Sequence, residues 1–333
     1  MVNINYKDVY IKDFYSIAGT LENNGNLKNV NRYLKDYYDG EKTIEDCEIK
    51  LQKEVLKNLT NNNTNLIVGG DLSNQITTTN SSVSNNNISF LGLYSACATF
   101  VESLIVLSNM IDSKKIKEGI VLTSSHNLCS EKQFRFPIEY GAQKPNYATF
   151  TTTGSTGVVL TKTKTNIKIN SSLIGSVVDM GIKDTNNMGA VMAPAASNTL
   201  YNYLKSTNTT TNDYDLILTG DLGTYGADLF KIILKKDYGI NIKNHIDAGS
   251  IIYKKEQDTY SGGSGPVCLP LVLLNNILQN KKYKKIIVIA TGSLHSPMLV
   301  NQKHSIPSIA HLVSLEVLNW HYYILSYFVV LCV

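Results

Sequence analysis

Apolar residues along the chain follow two kinds of spacing. Short apolar runs at Leu66-Ile67-Val68, Ile88 to Leu93 and Gly119 to Leu122, each bounded by Gly, Ser, Asn or Thr, predict buried strands. Between them, Glu41 to Leu59 places Ile44, Ile49, Leu51, Val55, Leu56 and Leu59 at helical spacing with charges in the gaps. Cys97 to Ile111 is apolar on nearly every face, as in a helix buried inside a layered domain. Strands alternating with helices of this length indicate an α/β fold.

The pattern then repeats. LIVGGDLSN at Leu66 to Asn74 returns as LILTGDLGT at Leu216 to Thr224, the same apolar run ending in the same Gly-Asp-Leu turn. The spacing from Cys97 to Ile120 nearly equals that from Ser264 to Ile286, which supports duplication of one α/β unit. We therefore divide the chain into halves at 1–160 and 161–316, followed by a tail at 317–333. The tail contains no Asp, Glu, Lys or Arg. It is short against the ~20 residues that usually span a bilayer, and Trp320, Tyr322 and Tyr323 suit an interfacial anchor. A final strand or helix packed on the core, or a reading-frame extension, accounts for it equally well.

Composition narrows the classes. With 43% hydrophobic and 17% charged residues in 333, the chain is globular, and a net charge of +4 with basic residues scattered apart from short pairs such as Lys114-Lys115 and the cluster around Lys281-Lys282 argues against a nucleic-acid partner. Five cysteines without a CxxC pair form neither a disulfide framework nor a zinc knuckle and read as free thiols; no metal site is expected. No apolar run follows a basic start at the N-terminus, so no signal peptide is expected and the bulk of the chain is placed in the cytoplasm.

Several residues are candidates for chemistry. Cys97 opens the apolar helix, where helix N–H groups would lower its thiol pKa; the alternative is a buried cysteine packing as a hydrophobe. His126, Arg135 and Lys144 fall on an expected loop after the strand at Gly119 to Leu122, able to receive an anion; the alternatives are a structural ion pair of Arg135 with Glu131 or Glu139 and a hydrogen-bonded turn role for His126. Asp71, Asp221 and Asp247 sit at strand ends where a carboxylate caps a helix. Gly262-Gly263-Ser264-Gly265 offers backbone N–H groups to an anion and lacks the Lys-Ser/Thr of a P-loop.

The segments GGDLSNQ (69–75), SACATFVESL (95–104), TSSHN (123–127), EKQFRFPIEYGAQKP (131–145), VMAPAA (191–196), GGSG (262–265) and IATGSLHSP (289–297) together resemble the stage V sporulation protein AD family. The resemblance implies a thiolase-like five-layer α/β/α/β/α sandwich of two duplicated halves, often a homodimer. It also implies a non-catalytic role in spore formation: binding dipicolinic acid, free or as its calcium chelate, and supporting its uptake with SpoVA membrane proteins. The protein would then sit peripherally on the cytoplasmic face of the spore inner membrane, with no other cofactor. In ketoacyl synthases, which share this fold, a histidine ends the strand that here reads Leu216 to Thr219, and an asparagine precedes the helix that begins near Gly263-Ser264. This chain has Gly220 at the first place and no Asn at the second. Asp71, Cys97, His126, Arg135, Lys144, Asp247 and Ser264 are accordingly read as ligand-binding, with Arg135 and Lys144 as the cations for a flat dianion and Asp71 and Asp247 holding them or a calcium ion. The rival expectation is a Cys97-dependent acyltransferase that recruits His126 or His245. Against the family pattern, Ala18 to Leu27 lacks a basic residue and the apolar tail is an addition.

Overall fold

A computed structural model describes residues 1–134, 143–280 and 282–318. Ten strands form one hydrogen-bonded network made of two five-stranded sheets: β1 (Tyr10–Ala18), β2 (Leu66–Gly70), β3 (Ser89–Gly92), β4 (Glu118–Ser125), β5 (Gly154–Thr161), β6 (Ile167–Ile174), β7 (Leu216–Thr219), β8 (His245–Asp247), β9 (Lys285–Ser293) and β10 (Ser308–Val317). Two small strands, Val2–Asn5 and Arg32–Tyr33, add to β6 and β1. The first unit runs β3-β2-β4-β5-β1 and the second β8-β7-β9-β10-β6. In each, the first two pairings are parallel and the last two antiparallel, so strand order and direction are the same twice over. The repeated Gly-Asp-Leu segments end β2 and β7, equivalent strands of the two units. A short antiparallel contact of Tyr10 and Ile11 with Lys168 and Ile167 joins the units through β1 and β6.

Eight helices are used below: α1 (Ile44–Leu59), α2 (Thr77–Val83), α3 (Thr99–Asp112), α4 (Asn127–Phe134), α5 (Met188–Thr207), α6 (Gly223–Tyr238), α7 (Ala248–Ile252) and α8 (Cys268–Val272). Strand periodicity assigns them to layers, because successive side chains point to opposite faces. Ile67, Ile120 and Leu122 pack with Leu51 and Val55 of α1. Their neighbours Val68 and Val121 turn inward to Phe100 and Leu104 of α3 and Leu269 and Leu271 of α8. From the second unit, Leu216, Leu218, Ile286 and Val288 enter that same inner cluster. On its far face, Ile217, Ile287 and Ile289 meet Leu200 of α5 and Phe230 of α6. The order is α1, sheet, α3 with α8, sheet, α5 with α6, the expected five layers.

Two local expectations change. The loop expected after Ser125 is helical over Asn127–Phe134, while Arg135 lies outside the described residues. The apolar run at the C-terminus begins inside the folded body: Val317 closes β10 and donates its N–H to the Lys284 carbonyl at 2.8 Å, and the Leu318 N–H reaches the Asn166 carbonyl at 2.7 Å. The rest of the expected tail, 319–333, lies outside the described residues, among which no helix is long and apolar enough to cross a membrane.

Candidate functional site

Cys97 sits on a tight turn between β3 and α3. Ala96 adopts a left-handed conformation (φ +50°), which costs an alanine on the order of 1–2 kcal/mol and persists only where surrounding contacts fix it. Here the fixing groups are local. Thr99 Oγ1 donates to the Ala96 carbonyl at 2.7 Å and accepts the Ser95 N–H at 3.0 Å, and the Ala98 N–H closes on the Ser95 carbonyl at 3.0 Å. From the other unit, β9 presses against this turn: a Cβ on Gly292 would lie 2.2 Å from the Ser95 carbonyl oxygen, so only glycine permits the approach.

The turn opens on a cavity of about 80 Å³, where the two units meet. Its polar lining comprises Cys97, Ser130, Glu131, Ser264, Ser293 and His295, with Thr149, Thr151 and Thr185 beside them. Leu72, Ala96, Met188 and Met192 supply the apolar wall, completed by Phe134, whose ring stacks on His295 at 5.3 Å and 27°. The space suits roughly five to eight water-sized bodies, hence a small molecule rather than a long chain. Ser264 reaches the cavity because Gly263-Ser264 pairs with Phe150-Thr151 as a two-stranded ladder.

Of the residues read from sequence as ligand-binding, Cys97 and Ser264 share this cavity. Asp71, His126, Lys144 and Asp247 do not line it, and Arg135 lies outside the described residues. Asp71 is fully buried and caps the turn into α2, accepting the Ser73 N–H at 2.6 Å and the Thr79 N–H at 2.7 Å. Asp247 caps α7 through the Ser250 N–H at 3.0 Å, accepts the Gly223 N–H at 3.0 Å and the Thr219 hydroxyl at 2.7 Å, and burial pushes its carboxyl up to about 6. Both carboxylates accept N–H groups at helix starts, and no cluster of three metal-ligating side chains occurs among the described residues. His126 is buried with Nε2 donating to the Tyr37 carbonyl at 2.8 Å, and desolvation holds its pKa below the usual histidine value. Lys144 pairs with Glu131 at 2.5 Å and stands 5.8 Å from the Tyr260 ring. It therefore neutralises the one acidic group among the described lining residues.

The electrostatics of Cys97 correct a second expectation. Burial foremost, and then the nearby Asp221 carboxyl, push its thiol well above the ordinary value, and the Gly265 N–H offsets only part of this. Helix N–H groups do not prevail because burial and the Asp221 carboxyl both favour the neutral thiol. Asp221 is itself fully buried, with both carboxylate oxygens lacking a hydrogen bond of normal geometry, and burial followed by Asp247 raises its pKa far above the carboxylate range. It follows directly on Gly220, where the synthases keep their histidine. His245, the other histidine considered, instead bonds the Thr219 hydroxyl at 2.8 Å and packs on Phe230.

Sequence reasoning missed Ser130, Phe134, Ser293 and His295. Phe134 and His295 stand inside segments that mark the family resemblance, yet nothing in their spacing ties them to Cys97: β9 brings one of them across from the other unit, and α4 carries the other past the turn.

Among solved structures, a Xanthomonas campestris OleA variant bound with cerulenin matches with a TM-score of 0.61 at 14% identity, covering 94% of this chain and 97% of that one. The 3-oxoacyl-[acyl-carrier-protein] synthase III of Aquifex aeolicus VF5 matches with a TM-score of 0.50 at 14% identity, covering 94% and 99%. At such identity the likeness establishes the fold, which is thiolase-like. Stage V sporulation protein AD of Bacillus subtilis (strain 168) is 39% identical over 319 residues, covering 92% of this chain and 94% of the relative. The profile of the stage V sporulation protein AD family matches residues 3–316, nearly everything the two sheets and their helices comprise, and the chain belongs to that family.

Proposed function

We propose that this sporulation-family protein is a non-catalytic binder of dipicolinic acid that supports its uptake into the developing spore. The observation that carries the reading is the Cys97 cavity itself. It is small and carries a stacked aromatic wall and several hydroxyls, while Gly220 and Gly263-Ser264 stand where a synthase keeps its histidine and asparagine. A thiol pushed upward without a base in register is a poor nucleophile. A flat ring with two carboxylates suits such a pocket: the ring lies against apolar and aromatic groups, and the carboxylates take hydroxyl and N–H donors.

Two surfaces support the proposed partners. Val177 (56% exposed) and Met180 (64%) stand on a loop tied to the segment at Ser305 and Ile306 by the Ser305 hydroxyl to Asp179 at 2.6 Å and the Ile306 N–H to the Ile182 carbonyl at 2.8 Å, and Met298 (65%) stands on the short helix Pro297–Asn301 that precedes that segment. An apolar patch of this kind fits docking onto SpoVA membrane proteins at the cytoplasmic face of the spore inner membrane. The outer edge of β3, beside exposed Leu91 and Tyr94, is unpaired among the described residues and fits a homodimer contact.

One observation favours a second reading. His295 and Cys97 line the same cavity, so acyl transfer with His295 as base is the rival. Calorimetric titration of the full chain with dipicolinate, with and without calcium, beside incubation with acyl-CoA, separates the two. Saturable dipicolinate binding without thioester consumption is expected. Acyl-CoA turnover that labels Cys97, with no dipicolinate heat, would establish the rival.

A further inference from the structure

Two residues that line the cavity carry buried hydroxyls without a hydrogen-bond partner. Ser130 is one turn into α4 and 6% exposed; Ser293 is the last residue of β9 and 7% exposed. Both line the cavity, and neither Oγ has a hydrogen-bond partner. A buried hydroxyl left unpaired costs on the order of 1–3 kcal/mol, so native proteins seldom retain one without a use. Here two occur at a single cavity, one contributed by each unit. Local helix or strand bonding does not explain them. Many buried hydroxyls of the chain close on backbone carbonyls, as Ser103 does on Thr99 at 2.7 Å and Ser197 on Ala193 at 2.9 Å; Ser108 of α3 is also without a partner, but it does not line the cavity.

The surroundings select the ligand group. Among the described residues the lining contains neither Lys nor Arg, and its acid, Glu131, is already paired with Lys144. Two neutral O–H donors with their hydrogens free to rotate suit a group that only accepts, and an anionic oxygen draws the stronger bonds. The stacked Phe134 and His295 rings and the Met188 and Met192 side chains provide a flat, polarisable wall in the same cavity. We infer that Ser130 and Ser293 form a two-hydroxyl subsite for one carboxylate of a planar aromatic acid, and so set ligand specificity at this site. This deepens the dipicolinate reading and rests on it.

The test uses the full chain and dipicolinate itself, titrated into the wild type and into Ser130→Ala, Ser293→Ala, Ser130→Thr and Ser293→Thr variants, with thermal unfolding of each unliganded protein. Removing an orphan hydroxyl takes nothing from the unliganded fold, so the melting temperatures of the Ala variants should equal or exceed that of the wild type. Dipicolinate affinity should fall about tenfold or more in each Ala variant and recover to within about threefold in the Thr variants, which restore a hydroxyl. If the wild type binds and the Ala variants bind within twofold of it, the subsite is refuted while the binding-protein reading stands. Ala variants that bind weakly only because they melt early assign the serines a structural role and likewise refute it. A wild type that does not bind dipicolinate removes both.

Discussion

Glu48, on α1 behind the candidate site, gives the sharpest test of how its polar surroundings are arranged. The side chain is 2% exposed, with Oε1 accepting from the Ser124 hydroxyl at 2.7 Å and the Cys129 thiol bonded to it. Burial, reinforced by Asp71, pushes its carboxyl from 4.5 up to about 8, against the opposing pull of Ser124 and Cys129. The folded chain therefore holds this proton more tightly than the unfolded chain does. Its contribution to stability is complete below about pH 4.5 and is lost as pH rises through 8. At ~1.4 kcal/mol per tenfold in proton affinity, the loss is at most about 5 kcal/mol, a large part of a typical folding free energy. Glu48→Gln keeps the shape and the donor of the protonated acid but cannot ionise. Urea unfolding of both proteins at pH 5, 7 and 9 should give stabilities within about 1 kcal/mol of each other at pH 5. The variant should gain steadily with pH and lead by several kcal/mol at pH 9. Parallel pH profiles would refute the argument, since they would mean that Glu48 is ionised in the folded state or hydrated.

Two further outcomes follow from the same structure. Gly292→Ala should destabilise the chain by about 1–3 kcal/mol or more, because the new methyl meets the Ser95 carbonyl backbone and not a flexible side chain; an unchanged urea midpoint would show that β9 does not press on the Cys97 turn. His245 is held down to about 3 by desolvation and then by Lys231, so the unfolded chain takes up its proton first and stability is lost as pH falls from 6.5 toward 3. His245→Asn should flatten that acid limb by up to ~1.4 kcal/mol per pH unit, and equal slopes in urea titrations between pH 6.5 and 4 would contradict this.

Periodicity made the body of the fold legible. The strands expected at Leu66, Ile88 and Gly119 and the helices expected at Glu41 to Leu59 and after Cys97 are all present, since each is defined by its own burial pattern. The 20-residue α5 was not foreseen, as Pro194 stands inside it and small residues blur its apolar stripe. Cys97 and Ser264 were readable as a pair because each begins an equivalent helix of a duplicated unit. A carboxylate at a strand end looks the same in sequence whether it caps a helix or meets a ligand, and the N–H groups that Asp71 and Asp247 accept become visible only in the fold. His295 was unreadable for the opposite reason, since its importance lies in crossing from one unit to the other, a distance that spacing along the chain does not encode.

The inner layer carries a consequence for the history of this architecture. Phe100 and Leu104 of α3 are covered by residues of α8 and of the second sheet, and those are covered in return by α3. A single unit standing alone would leave one face of its sheet and its inner helix open to water. A unit of this kind therefore buries its inner face only against a twin, and one polypeptide that carries both makes that partnership permanent. Once fused, the halves were free to diverge, and the cleft between them could acquire different side chains from each side, an asymmetry that two identical partners cannot possess.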